Sequence, residues 1–292
     1  MMARDEKIAI LQMIVCAFLW STAGIFIKLI PWNAFVIAGW RSLIAIATVG
    51  VYLYWSKTPL RISRLSLKYG FFMCLTMLCF CVANKLTTAA NAIVLQFTSP
   101  AWVIILGAVF YGQKIRKQDI LTAVMVLFGI SFFFFDSLSM GGFVGNIIAL
   151  VSGVTFASMM LSVTGGQEDE KMGGLIMGNL FTAVIGISFT FFYGIELSAV
   201  ALSCMFCLGV FQLGLSYVLY ILSTKKCPPL ACVLLSAVEP LLNPVWVLVF
   251  NGETPGVNAL IGGAIVIVTV LSWCLWQNKL NEKAREAAAS KA

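Results

Sequence analysis

The chain has 292 residues, of which 61% are hydrophobic and 11% are charged, and its net charge is +7. Roughly a quarter of the residues in an ordinary soluble domain are charged, so this composition excludes a soluble fold of this length. The positive charge does not indicate nucleic-acid binding, because the nineteen lysines and arginines stand singly or in short clusters between apolar runs.

Apolar runs of about 20 residues, the length that crosses a bilayer as a helix, follow one another along the chain. They predict an all-α membrane protein with ten transmembrane helices. The first run has no cleavage site typical of a signal peptide, so we expect it to remain as the first helix. The predicted spans are 8–30, 33–54, 66–86, 89–111, 119–135, 142–163, 173–193, 198–222, 228–250 and 256–277. Prolines and glycines mark the connections, whereas Pro100, Pro240 and Pro244 fall inside spans.

The basic residues predict the orientation, because cytoplasmic loops collect lysine and arginine. With both termini inside, sixteen of the nineteen fall on the cytoplasmic side, including those of the tail at 278–292. Lys28 and Lys85 fall at outer helix ends, where we expect their side chains to snorkel towards the headgroups. Arg41 lies within the second span. This distribution predicts a multi-pass protein of the cell membrane with both termini in the cytoplasm.

Residues 95–114 and 235–254 align without a gap at a constant offset of 140. The identical positions include Leu95/Leu235, Pro100/Pro240, Phe110/Phe250 and Gly112/Gly252. The alignment predicts two five-helix halves, 8–135 and 142–277. Because five is odd, the second half is inverted in the membrane relative to the first, as in many secondary transporters. Chance similarity between apolar helices is the alternative.

Two charged residues lie deep inside predicted spans: Arg41 in the second and Glu239 in the ninth. A charge at the bilayer centre costs about 2.5–3.5 kcal/mol on insertion scales, so such groups usually face a cavity or a partner. We expect Arg41 to bind a carboxylate or phosphate of a substrate, and Glu239 to bind an amine or a coupling proton. The alternative is a structural role: an ion pair between the two, or local packing beside Pro240 with water access.

Several segments together carry a family resemblance. They are the stretch Leu95 to Pro100 with Gly112-Gln113-Lys114, its partner Val238-Glu239-Pro240 with Gly252-Glu253, Arg41, and the Ser216-Tyr217 region before Lys225. With these segments the chain resembles the drug/metabolite transporter superfamily, in its branch of ten-helix EamA-type transporters, over about residues 8–278. Gln113 departs from the usual Gly-Glu ending, which leaves the role of that position open.

The resemblance implies a central cavity between two antiparallel halves, and transport of amino acids or similar small metabolites, often outward. It also implies which helices line the cavity, and these direct attention to polar and aromatic residues that would be costly against lipid. With the two charged residues, the expected substrate-binding set is Trp20, Ser21, Thr22, Arg41, Asn84, Gln96, Ser99, Gln212, Tyr217, Glu239 and Asn243.

The predicted function is a secondary transporter that exports amino acids or similar small metabolites by alternating access, and not an enzyme. A Walker A motif is absent from the sequence, so we expect a substrate or ion gradient, including a proton gradient, to supply the energy. Histidine is also absent, and we expect no metal, no cofactor and no nucleic-acid partner. The alternatives are a multidrug exporter, an intramembrane enzyme and a helical membrane bundle that transports nothing. The substrate, the coupling ion and the oligomeric state stay open at this point.

Overall fold

The computed structural model describes residues 4–112, 115–136, 142–162, 166–227 and 235–289, and within these ranges it contains helices and no strand. The helices are numbered here in chain order. They are α1 (Arg4–Ser21 with Ala23–Leu29), α2 (Ala34–Ser56), α3 (Arg64–Leu86), α4 (Ala89–Gln96 with Ser99–Tyr111), α5 (Lys117–Asp136), α6 (Gly142–Ser162), α7 (Glu168–Ser188 with Thr190–Tyr193), α8 (Ala199–Ser223), α9 (Val238–Asn251) and α10 (Val257–Ala289).

Eight helices in the described part of the chain are long and apolar enough to cross a membrane, and α5 and α9 are not among these eight. The prediction of an all-helical, multi-pass membrane protein is therefore confirmed, while the number of ten spans stays a prediction. Part of the predicted ninth span, at 228–234, lies outside the described residues.

The last helix is longer than predicted. Hydropathy placed its end near residue 277, but α10 continues to Ala289. Residues 278–289 are mostly lysine, glutamate, arginine, alanine and asparagine, and most of these favour helix without being apolar. A hydropathy boundary therefore marks where the apolar run ends, and here the helix extends beyond it.

Two of the prolines inside predicted spans coincide with helix breaks. α4 is interrupted at Phe97 and Thr98, just before Pro100. α9 follows a turn at Ala237, three residues before Pro240, and the backbone angles of Phe97 (φ −66°, ψ −3°) and Ala237 (φ −65°, ψ −13°) are similar. A proline lacks an N–H and crowds the carbonyl four residues earlier, which destabilises the preceding helical turn. The Thr98 hydroxyl donates to the Leu95 carbonyl at 2.6 Å, which satisfies one acceptor at the break.

The helices pack with a regular set of neighbours. α3 contacts α6 and α7; α2 contacts α7 and α8; α1 contacts α8 and α9; α4 contacts α6 and α9; and α5 contacts α10. The approach of α2 to α7 is very close, because a Cβ added to Gly39 would lie 2.6 Å from the carbonyl carbon of Gly186. Small residues at helix crossings allow such approach in membrane proteins.

The bundle has two ends, which we name the near end and the far end. The near end carries the start of α1 and the ends of α2, α4, α6 and α8, and the far end carries the ends of α1, α3, α7 and α9. Ion pairs at the near end are solvent-exposed or partly so: Lys226 contacts Asp5 at 2.5 Å and Lys225 contacts Glu168 at 2.6 Å. Exposed pairs of this kind contribute about 0–1 kcal/mol each.

Candidate functional site

A cavity lies in the middle of the bundle, with walls from α1, α2, α3, α4, α6, α8 and α9. Its volume is about 60 Å³, and because roughly 10–15 Å³ holds one water molecule, it accommodates only a few waters or a small polar group. The lining residues are Trp20, Arg41, Thr76, Met77, Phe80, Ile93, Gln96, Phe97, Ser99, Phe156, Gln212, Tyr217 and Glu239. We call it the central cavity.

Arg41 is the largest fully buried side chain of the described residues, with 1% of its surface exposed. One of its terminal nitrogens donates to the Met77 sulfur at 3.2 Å, and its Nε has no hydrogen-bond partner in the described part of the chain. A thioether is a weak acceptor, and a guanidinium carries five N–H donors in a planar fork that suits carboxylate and phosphate. Arg41 therefore presents unused donors at the wall of the central cavity.

Glu239 supplies the opposite charge from the first turn of α9. No ion pair joins it to Arg41, and its carboxylate has neither a hydrogen bond nor an ion pair within the described ranges. One structural alternative required an ion pair between Arg41 and Glu239, and the described residues do not form it. Both line the central cavity; Arg41 is fully buried and Glu239 is partly buried. A buried charge without a partner of opposite charge is costly.

Uncharged polar groups complete the wall between these two residues. Gln96 Nε2 donates to Ser152 Oγ at 2.6 Å, and the Thr76 hydroxyl donates to Thr155 Oγ1 at 2.9 Å. Gln212 lies in a π-helical segment of α8, Leu208–Leu215, and its Oε1 has no partner among the described residues. Short π-helical segments are frequent at functional sites because they reorient side chains. Gln212 thus offers one more acceptor to a ligand.

Aromatic rings form the rest of the wall. The Trp20 ring lies 5.4 Å from that of Tyr217 and 5.3 Å from that of Tyr220. Met77, Phe80, Phe97 and Phe156 also line the cavity, and the sequence did not single them out. Their positions had no distinguishing signal, because 22 phenylalanines and 12 methionines are spread through apolar runs.

Seven of the eleven residues expected at the site line the central cavity: Trp20, Arg41, Gln96, Ser99, Gln212, Tyr217 and Glu239. The other four are not among its lining residues: Ser21, Thr22, Asn84 and Asn243.

The reason is that these four side chains are engaged elsewhere or packed between helices. The hydroxyls of Ser21 and Thr22 donate to carbonyls one turn earlier in α1, and Ser21 also accepts a bond from Trp246 Nε1 at 2.9 Å. Asn84 donates to the Phe80 carbonyl of its own helix at 2.9 Å. Asn243 is fully buried, and its Oδ1 packs against Gly24 between α1 and α9.

A second, larger space adjoins the central cavity, and we call it the side chamber. Its volume is about 300 Å³, and five residues line both spaces: Trp20, Phe97, Ser99, Phe156 and Glu239. The residues that line only the side chamber are Met13, Pro100, Val103, Met160, Tyr220, Ser236, Trp273 and Cys274. Met160 and Tyr220 lie in the last turns of α6 and α8, so the side chamber extends from the central cavity towards the near end.

A polar cluster lies at the far end. Lys28 Nζ contacts Glu253 Oε2 at 2.8 Å and donates to the Thr87 carbonyl at 2.8 Å, and the other Glu253 oxygen accepts from the Ala89 N–H at 2.6 Å. Lys85 donates to the Ile30 carbonyl at 2.6 Å. The ammonium groups of Lys28 and Lys85, which were expected to snorkel towards the headgroups, thus bond to acceptors just beyond helix ends. Ala89 is one helical turn from Ile93, which lines the central cavity.

Groups of three or more histidine, cysteine or acidic side chains arranged to hold a metal ion are not found among the residues that the structure describes. The lining of the central cavity supplies one guanidinium, one carboxylate, amide and hydroxyl groups, and aromatic rings.

Comparisons with known proteins agree with this architecture. A solved crystal structure is similar over 92% of this chain and 97% of its own, with a TM-score of 0.65 and 16% sequence identity. At that identity the similarity concerns the fold alone. A comparison with curated proteins finds no match. Residues 7–135 match the model of the EamA-like transporter family. Over this stretch, which is less than half of the chain, the protein is similar to that family, and this is consistent with an EamA-type protein of the drug/metabolite transporter superfamily.

Proposed function

We propose that the protein is a secondary transporter of small zwitterionic molecules, with amino acids as the leading class, and that it works by alternating access. One observation carries the proposal: Arg41 and Glu239 lie on the wall of one cavity, and neither charge is paired with the other. A zwitterion satisfies both at once, with its carboxylate at Arg41 and its ammonium at Glu239. Binding of the substrate then offsets the desolvation cost of the buried Arg41 and the partly buried Glu239.

We further propose ten spans arranged as two inverted repeats, 8–135 and 142–277. The pattern of neighbours supports this, because exchanging each helix with the one five places later maps α3–α6 onto α8–α1, α3–α7 onto α8–α2, and α4–α6 onto α9–α1. The pairs α2–α7, α4–α9 and α5–α10 map onto themselves. The similar breaks at Phe97 and Ala237, 140 residues apart, follow the same relation. Rocking of such halves gives alternating access in other transporters.

The arrangement of the two ends suggests which state this is. The Lys28–Glu253 cluster closes the far end, while the side chamber extends from the central cavity towards the near end. The distribution of basic residues predicts that the protein lies in the cell membrane with both termini in the cytoplasm. In that orientation this state is closed to the outside. Loading at the near end followed by opening of the far end would export the substrate. A proton or ion gradient exchanged at Glu239 is the proposed form of coupling.

The orientation is tested by single cysteines introduced at Ser63 and Ser139, in a variant without the native cysteines. An impermeant thiol reagent added to intact cells is expected to label position 139 and not position 63. Labelling of position 63 alone would reverse the proposed orientation.

The substrate class is tested with three ligands that differ only in charge. Purified wild-type protein is heated with leucine, with 3-methylbutylamine, which lacks the carboxylate, and with 4-methylpentanoate, which lacks the amine. A ligand that binds the native state raises the unfolding temperature. We expect leucine to give the largest increase, and Arg41→Ala to bring leucine down to the level of the amine. Equal increases with the amine and with leucine in the wild type would refute recognition of zwitterions.

A multidrug exporter is the second candidate, and the aromatic and sulfur-containing walls of the two spaces favour it. Such a protein would bind hydrophobic amines through Glu239 and aromatic faces without a carboxylate at Arg41. Tight binding of several unrelated hydrophobic amines by both wild type and Arg41→Ala would select this candidate over the first.

A further inference from the structure

We propose that the side chamber binds the side chain of the transported zwitterion and selects large apolar side chains over small ones. This inference rests on the proposed function, since it assumes that the two charged groups of the substrate sit at Arg41 and Glu239. It adds a specificity site made of Val103, Met160, Trp273 and Cys274, residues that line the side chamber and not the central cavity.

The central cavity and the side chamber differ in volume. The central cavity measures about 60 Å³ and the side chamber about 300 Å³. The central cavity suits the compact charged group of a zwitterion and leaves little space for anything attached to it. A substrate with a bulky side chain therefore needs the adjoining space, and ligand pockets generally enclose most of the ligand surface.

The central cavity and the side chamber adjoin each other and share lining residues. Glu239 lines both spaces, together with Trp20 and Phe97. An ammonium held by Glu239 is therefore positioned at the junction of the two spaces. In an amino acid the ammonium, the carboxylate and the side chain branch from one carbon, so a carboxylate directed to Arg41 leaves the side chain free to enter the side chamber.

The side chains of the side chamber also match an apolar ligand. The walls found only in the side chamber are largely apolar: two methionines, a valine, a proline, a cysteine and two aromatic rings, with Ser236 as the one hydroxyl without an aromatic ring. The indole N–H of Trp273 is engaged with Asp119 Oδ1 at 2.8 Å, so that ring is held in place. Apolar walls favour apolar ligands because burying both surfaces removes them from water. Among the described residues that line the side chamber, Glu239 is the one charged group available to a charged side chain.

The side chamber also lies on the way from the central cavity to the near end, so a passage without selectivity is the competing explanation. The two explanations differ in one measurable respect. A narrowed passage slows all substrates alike, whereas a narrowed specificity site affects those with large side chains and leaves small ones unchanged.

The test compares Val103→Phe with Val109→Phe. Both changes enlarge a valine of α4, but Val103 lines the side chamber whereas Val109 has 68% of its surface exposed on the outside of the bundle. Each variant is reconstituted in liposomes, and unlabelled alanine, leucine, phenylalanine and tryptophan compete with labelled leucine in counterflow. Unfolding temperatures of both variants check that they are folded.

In the wild type we expect affinity to increase from alanine to leucine and phenylalanine. In Val103→Phe we expect the affinity for phenylalanine and tryptophan to fall roughly tenfold or more, the scale of steric discrimination in apolar pockets. Alanine should stay within about twofold of wild type, as should all four ligands in Val109→Phe. A second variant, Met160→Ala, enlarges the side chamber and should shift the preference towards tryptophan, which keeps the test decisive if Val103→Phe fails to fold.

Equal weakening of alanine and phenylalanine in Val103→Phe would overturn the proposal and leave the side chamber as a passage. Wild-type affinities that do not depend on side-chain size would overturn it as well. Failure of the proposed function looks different: no amino acid then competes, or competition is unaffected by Arg41→Ala.

Discussion

The central cavity and the far end each contain a basic and an acidic residue, but only the pair at the far end is in contact. At the far end Lys28 and Glu253 are in contact at 2.8 Å, and the side chains are only 16% and 18% exposed. In the central cavity Arg41 and Glu239 share a wall without forming an ion pair. Paired charges hold two helices together, whereas unpaired buried charges require a ligand or water.

The comparison also explains why each pair uses its residue types. The Lys28 ammonium is a compact charge that serves two acceptors at once, Glu253 and the Thr87 carbonyl. The planar guanidinium of Arg41 suits two-point contact with a carboxylate. We interpret the far-end cluster as a closure and the central pair as a recognition site, and four substitutions test that distinction.

The largest effect is expected from Arg41→Ala. Losing charge-assisted hydrogen bonds should weaken binding of a carboxylate substrate by about 1.5–3 kcal/mol, and Arg41→Lys should recover only part of this because the planar fork is absent. Binding is measured by competition in counterflow. Arg64→Ala, at an exposed position of the near end, serves as the control. Normal transport by both Arg41 variants would remove Arg41 from the site.

Glu239→Gln should have the next largest effect. Whether binding or the response to pH is lost identifies the role of the carboxylate. If Glu239 holds the ammonium, the neutral amide should weaken leucine binding while leaving 4-methylpentanoate unaffected. If Glu239 carries a coupling proton, exchange of substrate should persist but the response to a pH gradient should disappear. Transport and pH response are measured in the same liposomes, and wild-type values for both would leave Glu239 a structural residue.

Glu253→Gln tests the far-end closure. Loss of the partly buried ion pair should favour the open far end by about 1 kcal/mol, or roughly fivefold, which is the upper range for pairs near a surface. The measurement is the labelling rate of a single cysteine at Ile93 from the far side. The charge swap Lys28→Glu with Glu253→Lys should bring the rate back towards wild type. An unchanged rate in Glu253→Gln would mean that other contacts close this end.

The smallest effect is expected from Gly252→Ala compared with Gly112→Ala. Both glycines end helices with positive φ, +66° and +62°, and a Cβ on either meets no atom within 4 Å. The backbone cost of each change is therefore similar, about 1 kcal/mol. Only Gly252 precedes Glu253, so only Gly252→Ala should speed labelling at Ile93, and by less than Glu253→Gln. Equal labelling in both variants would show that the orientation of Glu253 does not depend on this turn.

The sequence by itself determined the class of protein, most span positions and the two central charges. Apolar runs must be helical in a bilayer because backbone groups have no water to bond to, so α2, α3 and α4 are found close to their predicted positions. Arg41 and Glu239 were identifiable because burying a charge in an apolar span is costly and therefore conspicuous.

Only the tertiary structure decided which neutral residues line the cavity and which groups Lys28 and Lys85 bond to. Phe97 lines both spaces while Phe128 is exposed on α5, yet both are phenylalanines in apolar runs. Asn84 and Gln96 both belonged to the expected set, but Asn84 bonds to its own helix and Gln96 bonds to Ser152 on α6. Lys28 pairs with Glu253, which lies far away along the chain. Hydropathy measures the preference of each residue for lipid or water. These outcomes depend instead on the neighbours that folding brings within hydrogen-bond distance.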